Sequence, residues 1–367
     1  MLKTTLAALL IFVPALVSGS EPFTIFSGSS ERSPKQPQAS MDSRGVAHVT
    51  FGVGDDVYYC RVGSDEKPSP LVAFRVPNMS LGMRRGPRIA HAGDSIVITA
   101  IGGPKGKGTD GDVLAYRTLD GGKSWLGPVK VNDIEASARE GLHAMTSSND
   151  GTLWCVWLDL RAKRTQLFAS KSIDQGASWS KNQLVYQSPD GSICECCHPS
   201  VVAEGNFVHI LFRNSLKGNR DMYLVSSNNQ GETFGIGERL GLQHWSLNAC
   251  PMDGGMLAIA PKGEVVSAWR RGGTIFTSVG EASLETMLEH GEQPWIASGP
   301  SGTYVVWLTK RDGQLRLVKL GNGNSRIISE NARDPIVAVG DGNESQVFVF
   351  WEQRSGDQVS IQCQLVK

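Results

Sequence analysis

The sequence predicts an all-β protein: a single β-propeller of four-stranded antiparallel blades, with seven blades favoured and six as the alternative. In a self-comparison, three eight-residue segments align without gaps, beginning at Thr118, Ser172 and Ser227, 54 and 55 residues apart. Short β-branched or aromatic runs also recur along the chain, and they are too short for helices. Repeated units that cannot bury both faces alone stack best in a closed ring.

Each repeated segment predicts a tight turn between two antiparallel strands. Asp120 and the hydroxyl residues around it can satisfy the turn's own backbone groups. Gly122 supplies a positive φ, and Trp125 re-enters the fold as a packing anchor. We therefore expect Asp120 and the matching Asp174 to be structural rather than catalytic.

The same order of elements precedes each turn and also occurs where the turn motif has decayed. Six of the seven units open at a proline, and the seventh opens near His143. The chain ends on a third strand, Gln358–Val366, so Pro22–Phe26 at the other end can supply the outer edge of that blade and close the ring. The predicted second strands are Val46–Phe51, Ile96–Ala100, Leu153–Leu158, Phe207–Phe212, Val265–Trp269, Tyr304–Leu308 and Val347–Trp351.

We expect a signal peptide over residues 1–20 and a single propeller domain over residues 21–367. Lys3 and the apolar run Leu9–Val17 are typical of a leader, which predicts export to the periplasm or the medium; a signal anchor is the alternative. Lys+Arg and Asp+Glu are 36 each, so no net field favours nucleic acid or an anionic membrane as a partner. No later run reaches about 18 apolar residues, so no membrane insertion is expected.

Seven cysteines are an odd number for an exported chain, so at least one is unpaired, metal-bound or paired between molecules. Cys194, Cys196, Cys197 and His198 could bind a soft metal such as Cu(I) or Zn. Disulfides usually prevail outside the cytosol, and we favour a bond from this cluster to Cys250. Buried free thiols and a cross-strand pair stay equally open for Cys60, Cys155 and Cys363.

Loop topology divides the predicted ring into two faces. Loops 1–2 and 3–4 of each blade lie on one face, whereas loops 2–3 and the 4–1 connections between blades lie on the other. The repeated turns are 3–4 loops, so they mark the face opposite the site. Arg161, Arg213 and Arg270 follow the second strands of three successive blades, and we expect them to converge on an anionic ligand; ordinary rim salt bridges are the alternative. The same face carries Asp159, Arg354, Arg84, Arg139, Glu140 and Glu352.

The turn pattern S/T-x-D-x-G-x-S/T-W resembles the Asp box, or BNR repeat, and the whole mature chain is similar to sialidase-like propellers. Retaining sialidases clamp the substrate carboxylate with three arginines and use a Tyr nucleophile, a Glu and an Asp acid/base. The resemblance implies Arg85 or Arg88 as the first clamp arginine and Asp110 or Asp112 as the acid/base. Glu195 matches the family's Glu after a shift.

These observations predict an exported propeller that recognises an acidic glycan at an arginine-rich funnel and, if catalytic, hydrolyses it as an exo-glycosidase. No Tyr nucleophile motif is found, which favours a non-catalytic glycan- or protein-binding propeller as the alternative. A metal or redox site at the cysteine cluster is the third hypothesis. Apart from that soft metal, no cofactor is expected.

Overall fold

The computed structural model describes residues 20–63, 68–106, 108–280, 284–342 and 346–367. These residues form 27 β-strands and no helix, so the predicted all-β class is confirmed. No helix long and apolar enough to cross a membrane occurs among them. The expected signal peptide lies outside the described residues except for Ser20, and it stays a prediction.

The strands are short and follow one another closely along the chain. In the first half they are β1 (Phe23–Ser29), β2 (Lys35–Met41), β3 (Ala47–Val53), β4 (Asp56–Val62), β5 (Leu71–Arg75), β6 (Arg88–Ala92), β7 (Ser95–Gly102), β8 (Asp112–Thr118), β9 (Leu126–Lys130), β10 (His143–Ser147), β11 (Leu153–Asp159), β12 (Gln166–Ser172) and β13 (Gln183–Tyr186). In the second half they are β14 (Ser200–Glu204), β15 (Phe207–Arg213), β16 (Met222–Ser227), β17 (Glu238–Arg239), β18 (Met256–Ile259), β19 (Val265–Arg271), β20 (Thr274–Val279), β21 (Thr286–His290), β22 (Glu292–Gly299), β23 (Gly302–Leu308), β24 (Gly313–Lys319), β25 (Arg326–Val339), β26 (Val347–Ser355) and β27 (Gln358–Leu365).

These strands form antiparallel meanders arranged in a ring. Strands β2–β5, β6–β9, β10–β13, β14–β17 and β18–β21 form four-stranded sheets, and β22–β27 with β1 form a seven-stranded sheet. The first strands contact one another in the order β2, β6, β10, β14, β18, β22, β25 and back to β2. The first strands therefore line the centre of a closed ring. Because the sheets number six and one has seven strands, the predicted blade number stays a prediction.

The two ends of the chain close the ring together. Strand β1 pairs with β27 from Phe23 opposite Cys363 to Ser29 opposite Gln358. The N-terminal strand thus covers the outer edge of the C-terminal sheet, as the sequence predicts.

The predicted second strands are all present as β3, β7, β11, β15, β19, β23 and β26. They are nearly continuous apolar runs because neighbouring sheets cover both of their faces; every residue of β11 is buried. Fully buried indoles stand at matching places late in four of them: Trp157, Trp269, Trp307 and Trp351. Packing of these rings between sheets accounts for the recurrent aromatic positions.

The three repeated turns satisfy their own backbone groups. Asp174 accepts hydrogen bonds from the Ser172 hydroxyl at 2.8 Å, the Ser178 backbone N–H at 2.9 Å and the Ser178 hydroxyl at 2.5 Å. Burial raises the pKa of Asp174, and the hydrogen bonds from Ser178 more than offset it, so this pKa is lowered overall. Asn229 plays the same part in the third turn, accepting from the Thr233 N–H at 3.1 Å. These contacts occupy the Asp174 carboxylate within its own turn.

Asp174→Ala should lower the free energy of unfolding by about 1–2 kcal/mol because three turn hydrogen bonds are lost. Asp174→Asn should cost less, since Asn229 shows that an amide can hold this turn. Urea unfolding of the two variants checks both. Equal losses in the two variants would contradict a hydrogen-bonding role for this side chain.

Candidate functional site

Three inner strands, β2, β22 and β25, have a backbone kink next to the ring centre. Gln36, Gln293 and Asp334 each precede a proline and adopt positive φ values of 58°, 55° and 45°. A β-bulge occurs at each of these places in β2, β22 and β25. Non-glycine residues with positive φ concentrate where the surrounding structure fixes them, often at functional sites. The kinks also bring these residues together: the Gln293 side-chain oxygen accepts from the Asp334 N–H at 3.1 Å.

Arg84 crosses the ring centre. It lies in the connection between β5 and β6 and is 1% exposed. Its guanidinium donates to the carbonyl of Pro335 at 2.9 Å and to the carbonyl of Gln293 at 2.8 Å, on β25 and β22. Its Nε lies 3.9 Å from the Asp334 carboxylate, and its Cζ lies 5.0 Å from the centre of the Trp295 ring. One side chain therefore joins the connection before β6 to two strands, β22 and β25, of the seven-stranded sheet.

Buried carboxyl groups surround Arg84. The Asp253 carboxylate accepts from the Gln293 N–H at 2.8 Å, and the Glu352 carboxyl accepts from the Gln36 N–H at 2.7 Å. Burial, reinforced by Asp334, raises the pKa of Glu352 to about 8. Burial therefore favours the protonated form of Glu352. Burial lowers the pKa of Arg84, although these carboxylates oppose that effect.

Several polar atoms at this centre are buried and have no hydrogen-bond partner among the described residues. We call the residues concerned, with Gln293 and Glu352, the central cluster. Buried polar atoms are nearly always hydrogen-bonded, so such a concentration indicates a place for water or a ligand group. The atoms are Gln36 Oε1 and Nε2, Arg84 Nε, His198 Nδ1 and Nε2, Asp253 Oδ1 and Asp334 Oδ1.

A separate open cleft lies on the predicted ligand face. This rim cleft has a volume of about 340 Å³ and is lined by Asn78, Ser80, Arg85, Asp110, Arg139 and Glu140, among others. Arg85 Nε donates to the Glu140 carbonyl at 2.7 Å. Within the described part of the chain, the two terminal nitrogens of Arg85 have no hydrogen-bond partner. This guanidinium fork is thus available to an anionic ligand.

Glu140 is the carboxyl group of the rim cleft with a shifted pKa. Partial burial raises its pKa, Arg85 and Arg139 lower it, and Glu195 raises it further, so the net shift is upward. Glu195 lies on the neighbouring loop, where its carboxylate is 3.6 Å from an Arg220 nitrogen. The predicted residue Glu195 therefore lies near enough to Glu140 to raise the pKa of that carboxyl group.

The two predicted acid/base residues are engaged by their own loops. Asp110 lines the rim cleft, yet its oxygens accept the backbone N–H groups of Lys105 and Gly106, both at 2.9 Å. Asp112 accepts from the Asn132 side chain and from a backbone N–H, both at 2.7 Å. Its other oxygen is 2.9 Å from Lys130. Asp112 is thus held as a structural residue.

The predicted convergence of three arginines is found for two of them. Arg213 and Arg270 both cover the Trp245 indole, at 5.0 and 5.5 Å from its centre. Arg161 does not join them, because Asp159 binds it through two nitrogens at 2.9 Å. Asp159 is fully buried and also accepts from Trp157 at 2.8 Å. Asp159 and Arg161 therefore form a rim salt bridge within their own sheet.

The other predicted binding arginines lie apart from the rim cleft. Arg88 is buried and donates to backbone carbonyls, including those of His143 and Pro87, at 3.1 Å each. Arg354 is exposed at the β26–β27 hairpin and donates to the Gly356 carbonyl at 3.0 Å. Of the arginines predicted on this face, Arg85 and Arg139 line the cleft itself.

In the described residues, which include all six tyrosines, no Tyr hydroxyl is hydrogen-bonded to a carboxylate. The sialidase pairing of a Tyr with a Glu is therefore not formed. The hydroxyl partners are instead His48 for Tyr59, the Arg75 carbonyl for Tyr116, Asn214 for Tyr186 and the Ser301 carbonyl for Tyr304.

The expected disulfide to Cys250 is not formed, since all seven cysteines are free thiols. The Sγ atoms of Cys194, Cys196 and Cys197 lie 3.4–3.9 Å apart, well beyond a disulfide bond, and Cys250 is exposed. His198 was expected among the metal ligands, but the group of ligand atoms within 4.8 Å of one another contains the three thiols alone. Its ring stacks on Trp295 with 6.3 Å between centres. Cys60, Cys155 and Cys363 are buried free thiols.

Comparison of structures identifies propellers that act on carbohydrates. The chain is similar to a Penicillium chrysogenum α-L-arabinanase complexed with arabinobiose, with a TM-score of 0.58 and 15% identity over 95% of this chain and 99% of that one. It is also similar to a Hadza microbial sialidase, with a TM-score of 0.50 and 15% identity over 86% of this chain and 73% of that one. A polysaccharide lyase, an ulvan lyase bound to -[GlcA(1-4)Rha3S]-, matches with a TM-score of 0.53 and 11% identity over 91% and 94%.

These likenesses show the fold. The chain has the sialidase-like propeller architecture that the turn motif predicts. No protein-family model and no curated protein matches the sequence.

Four residues of the central cluster escaped sequence reasoning: Gln36, Asp253, Gln293 and Asp334. Three of them directly precede a proline that opens an inner strand. The prolines that recur at the start of six units were visible in the sequence. The residue before each of these prolines could therefore have been predicted as a candidate for the ring centre. Asp253 lies two residues after Pro251 and carries no such mark.

Arg84→Met should lower the free energy of unfolding by about 3–5 kcal/mol, because it leaves buried carboxylates without their cation. Arg354→Met, at an exposed position, should change it by less than about 0.5 kcal/mol. Denaturant unfolding of both proteins checks this. A near-neutral Arg84→Met would contradict a bridging role across the ring.

Glu352 should add a downward slope to the free energy of unfolding as pH rises from about 5 to about 8. Glu352 is protonated in the folded protein up to a pKa of about 8 but ionises near 4.5 when unfolded, so the folded state binds the extra proton in this window. Glu352→Gln should flatten this slope, and Asp357→Asn, an exposed change on the same sheet, should leave it intact. An unchanged slope in Glu352→Gln would overturn the assignment.

Proposed function

We propose that this chain is an exported, seven-bladed glycoside hydrolase that binds an acidic glycan in the rim cleft, with Glu140 as the general acid. The observation that carries this proposal is the placement of the Arg85 fork beside a carboxyl group whose pKa is raised. Export rests on the leader-like segment 1–20, and N-terminal sequencing of the secreted protein tests it.

Seven blades follow if the seven-stranded sheet is two blades that share β25. This strand is 14 residues long. Residues 326–332 pair with β24, whereas residues 333–339 pair with β26. Strand β25 is then the outer strand of one blade and the inner strand of the next. The closed circuit of contacts among seven inner strands supports this count.

The rim cleft and the neighbouring loop that carries Glu195 together hold the kinds of group that hydrolysis of an acidic sugar needs. The guanidinium groups of Arg85 and Arg139 would bind the sugar's carboxylate or sulfate. Glycosidases use a protonated carboxyl group to donate to the leaving oxygen and a carboxylate to activate water or attack the sugar. Glu140, with its raised pKa, would be the donor, and Glu195 would take the proton from water.

The comparisons support an acidic glycan as ligand without assigning one. The ulvan lyase binds a fragment containing GlcA and sulfated rhamnose, and another neighbour is a sialidase. The arabinanase was solved with arabinobiose, which is uncharged. The free guanidinium of the cleft favours the charged class for this chain.

A non-catalytic glycan-binding propeller is the second candidate. The observation that favours it is the absence, among the described residues, of a tyrosine paired with a carboxylate. In that case Arg85 would still bind the ligand, and Glu140 would contribute only to its position.

Glu140→Gln should abolish hydrolysis of fluorogenic uronide and sialoside substrates while leaving binding on a glycan array nearly unchanged. Arg85→Ala should weaken binding, with a loss of about 2–5 kcal/mol if the ion pair is buried in the complex. Binding should also weaken with added salt.

Arg117→Ala is the matched control, because Arg117 lies beside the repeated turns and contacts the Asp174 carbonyl. It should bind and hydrolyse as the wild type does. Wild-type binding without hydrolysis of any substrate would favour the second candidate. Binding that survives Arg85→Ala would refute both.

A further inference from the structure

Three cysteines meet beside the central cluster without forming a disulfide. Cys194, Cys196 and Cys197 are buried, and their sulfurs are separated by 3.6, 3.4 and 3.9 Å. A cation bound about 2.3 Å from each sulfur in a tetrahedral site would separate the sulfurs by about 3.8 Å. The thiols thus already stand close to the spacing of a metal-bound set.

Backbone hydrogen bonds to neighbouring strands hold the loop that carries these thiols. The Cys194 N–H donates to the Arg213 carbonyl at 3.0 Å, and the Ile193 N–H donates to the Thr165 carbonyl at 2.9 Å. The loop is therefore anchored to β15 and to the residue that precedes β12. A ligand set fixed in this way need not be ordered on binding, which favours affinity.

A methionine side chain, which can supply a fourth soft ligand, packs against the thiols. Met252, on the next connection between sheets, is partly buried and packs against the three cysteines. Thiolates and a thioether together select Cu⁺ over harder cations. Arg213 is almost fully buried and Arg220 partly so, and both lie on the adjoining strand and loop. These cations would offset the negative charge of three thiolates around a monovalent ion.

We propose that Cys194, Cys196, Cys197 and Met252 form a binding site for one Cu⁺ ion, on the loop that also carries Glu195. Each thiol releases its proton to solvent as its sulfur binds the ion, and no change of oxidation state is involved. Cys250 and His198 lie outside this ligand set.

The test is an anaerobic titration of the purified mature protein with Cu⁺ in competition with bicinchoninate. One ion per chain should bind, with thiolate-to-copper absorption in the ultraviolet. Cys196→Ser should weaken binding by more than about 100-fold. Met252→Leu should weaken it by a smaller factor, because a neutral thioether binds Cu⁺ less strongly than a thiolate. Cys250→Ser is the matched control and should bind as the wild type does.

Several results would overturn the proposal. These are no binding to the wild type, equal binding by Cys196→Ser, loss of binding in Cys250→Ser, or displacement of Cu⁺ by stoichiometric Zn²⁺. A disulfide joining Cys250 to any of the three, found by peptide mapping without reductant, would also overturn it. If Cys196→Ser fails to fold, X-ray absorption on the loaded wild type decides: three sulfurs about 2.3 Å from copper are expected, and nitrogen or oxygen ligands would refute the site.

Discussion

The buried guanidinium of Arg84 is the interaction on which the ring depends. It starts from the connection before β6 and ends on carbonyl groups of β22 and β25, so it joins strands that lie far apart in the sequence. A guanidinium placed so deeply costs much solvation unless carbonyl and carboxylate oxygens surround it. The carbonyl groups of Gln293 and Pro335 and the Asp334 carboxylate supply those oxygens, and all three lie at the kinks of β22 and β25. The kinked backbone of the inner strands therefore carries the oxygens that surround the buried charge of Arg84.

This arrangement separates the two faces of the molecule chemically. On one face, each repeated turn uses its own Asp or Asn to satisfy its own backbone, which leaves little polar capacity for a ligand. On the other face, the described loops leave the two terminal nitrogens of Arg85 available beside the Glu140 carboxyl group at the rim cleft, and they hold three thiols beside the centre. Two adjacent arginines show the contrast. Arg85 binds a ligand in our proposal, whereas the buried Arg84 holds the ring together.

Sequence patterns predicted the parts of the fold that depend on local chemistry. The second strands were visible because burial on both faces requires unbroken apolar runs, and β1 was visible because the last unit lacked an outer strand. Side-chain contacts across the ring were harder to predict from the sequence. Arg161 was expected at the funnel, but its own sheet supplies Asp159; the Cys250 disulfide was expected from the compartment alone, whereas the loop geometry groups the other three thiols. Arg84 appeared on the correct face, although nothing local indicates that its partners are 209 and 251 residues away.

The central claim is that ligands bind on the face formed by the 2–3 loops and the connections between blades. Hydrogen–deuterium exchange of the mature protein, with and without a uronate-containing oligosaccharide, tests it most directly. The account predicts slower exchange in residues 78–86 and 131–142, which border the rim cleft, and unchanged exchange in the turns at 118–125, 172–179 and 227–234. Protection of those turns, or of the opposite cavity of about 580 Å³ lined by Thr146, Glu204 and Pro261, would contradict it.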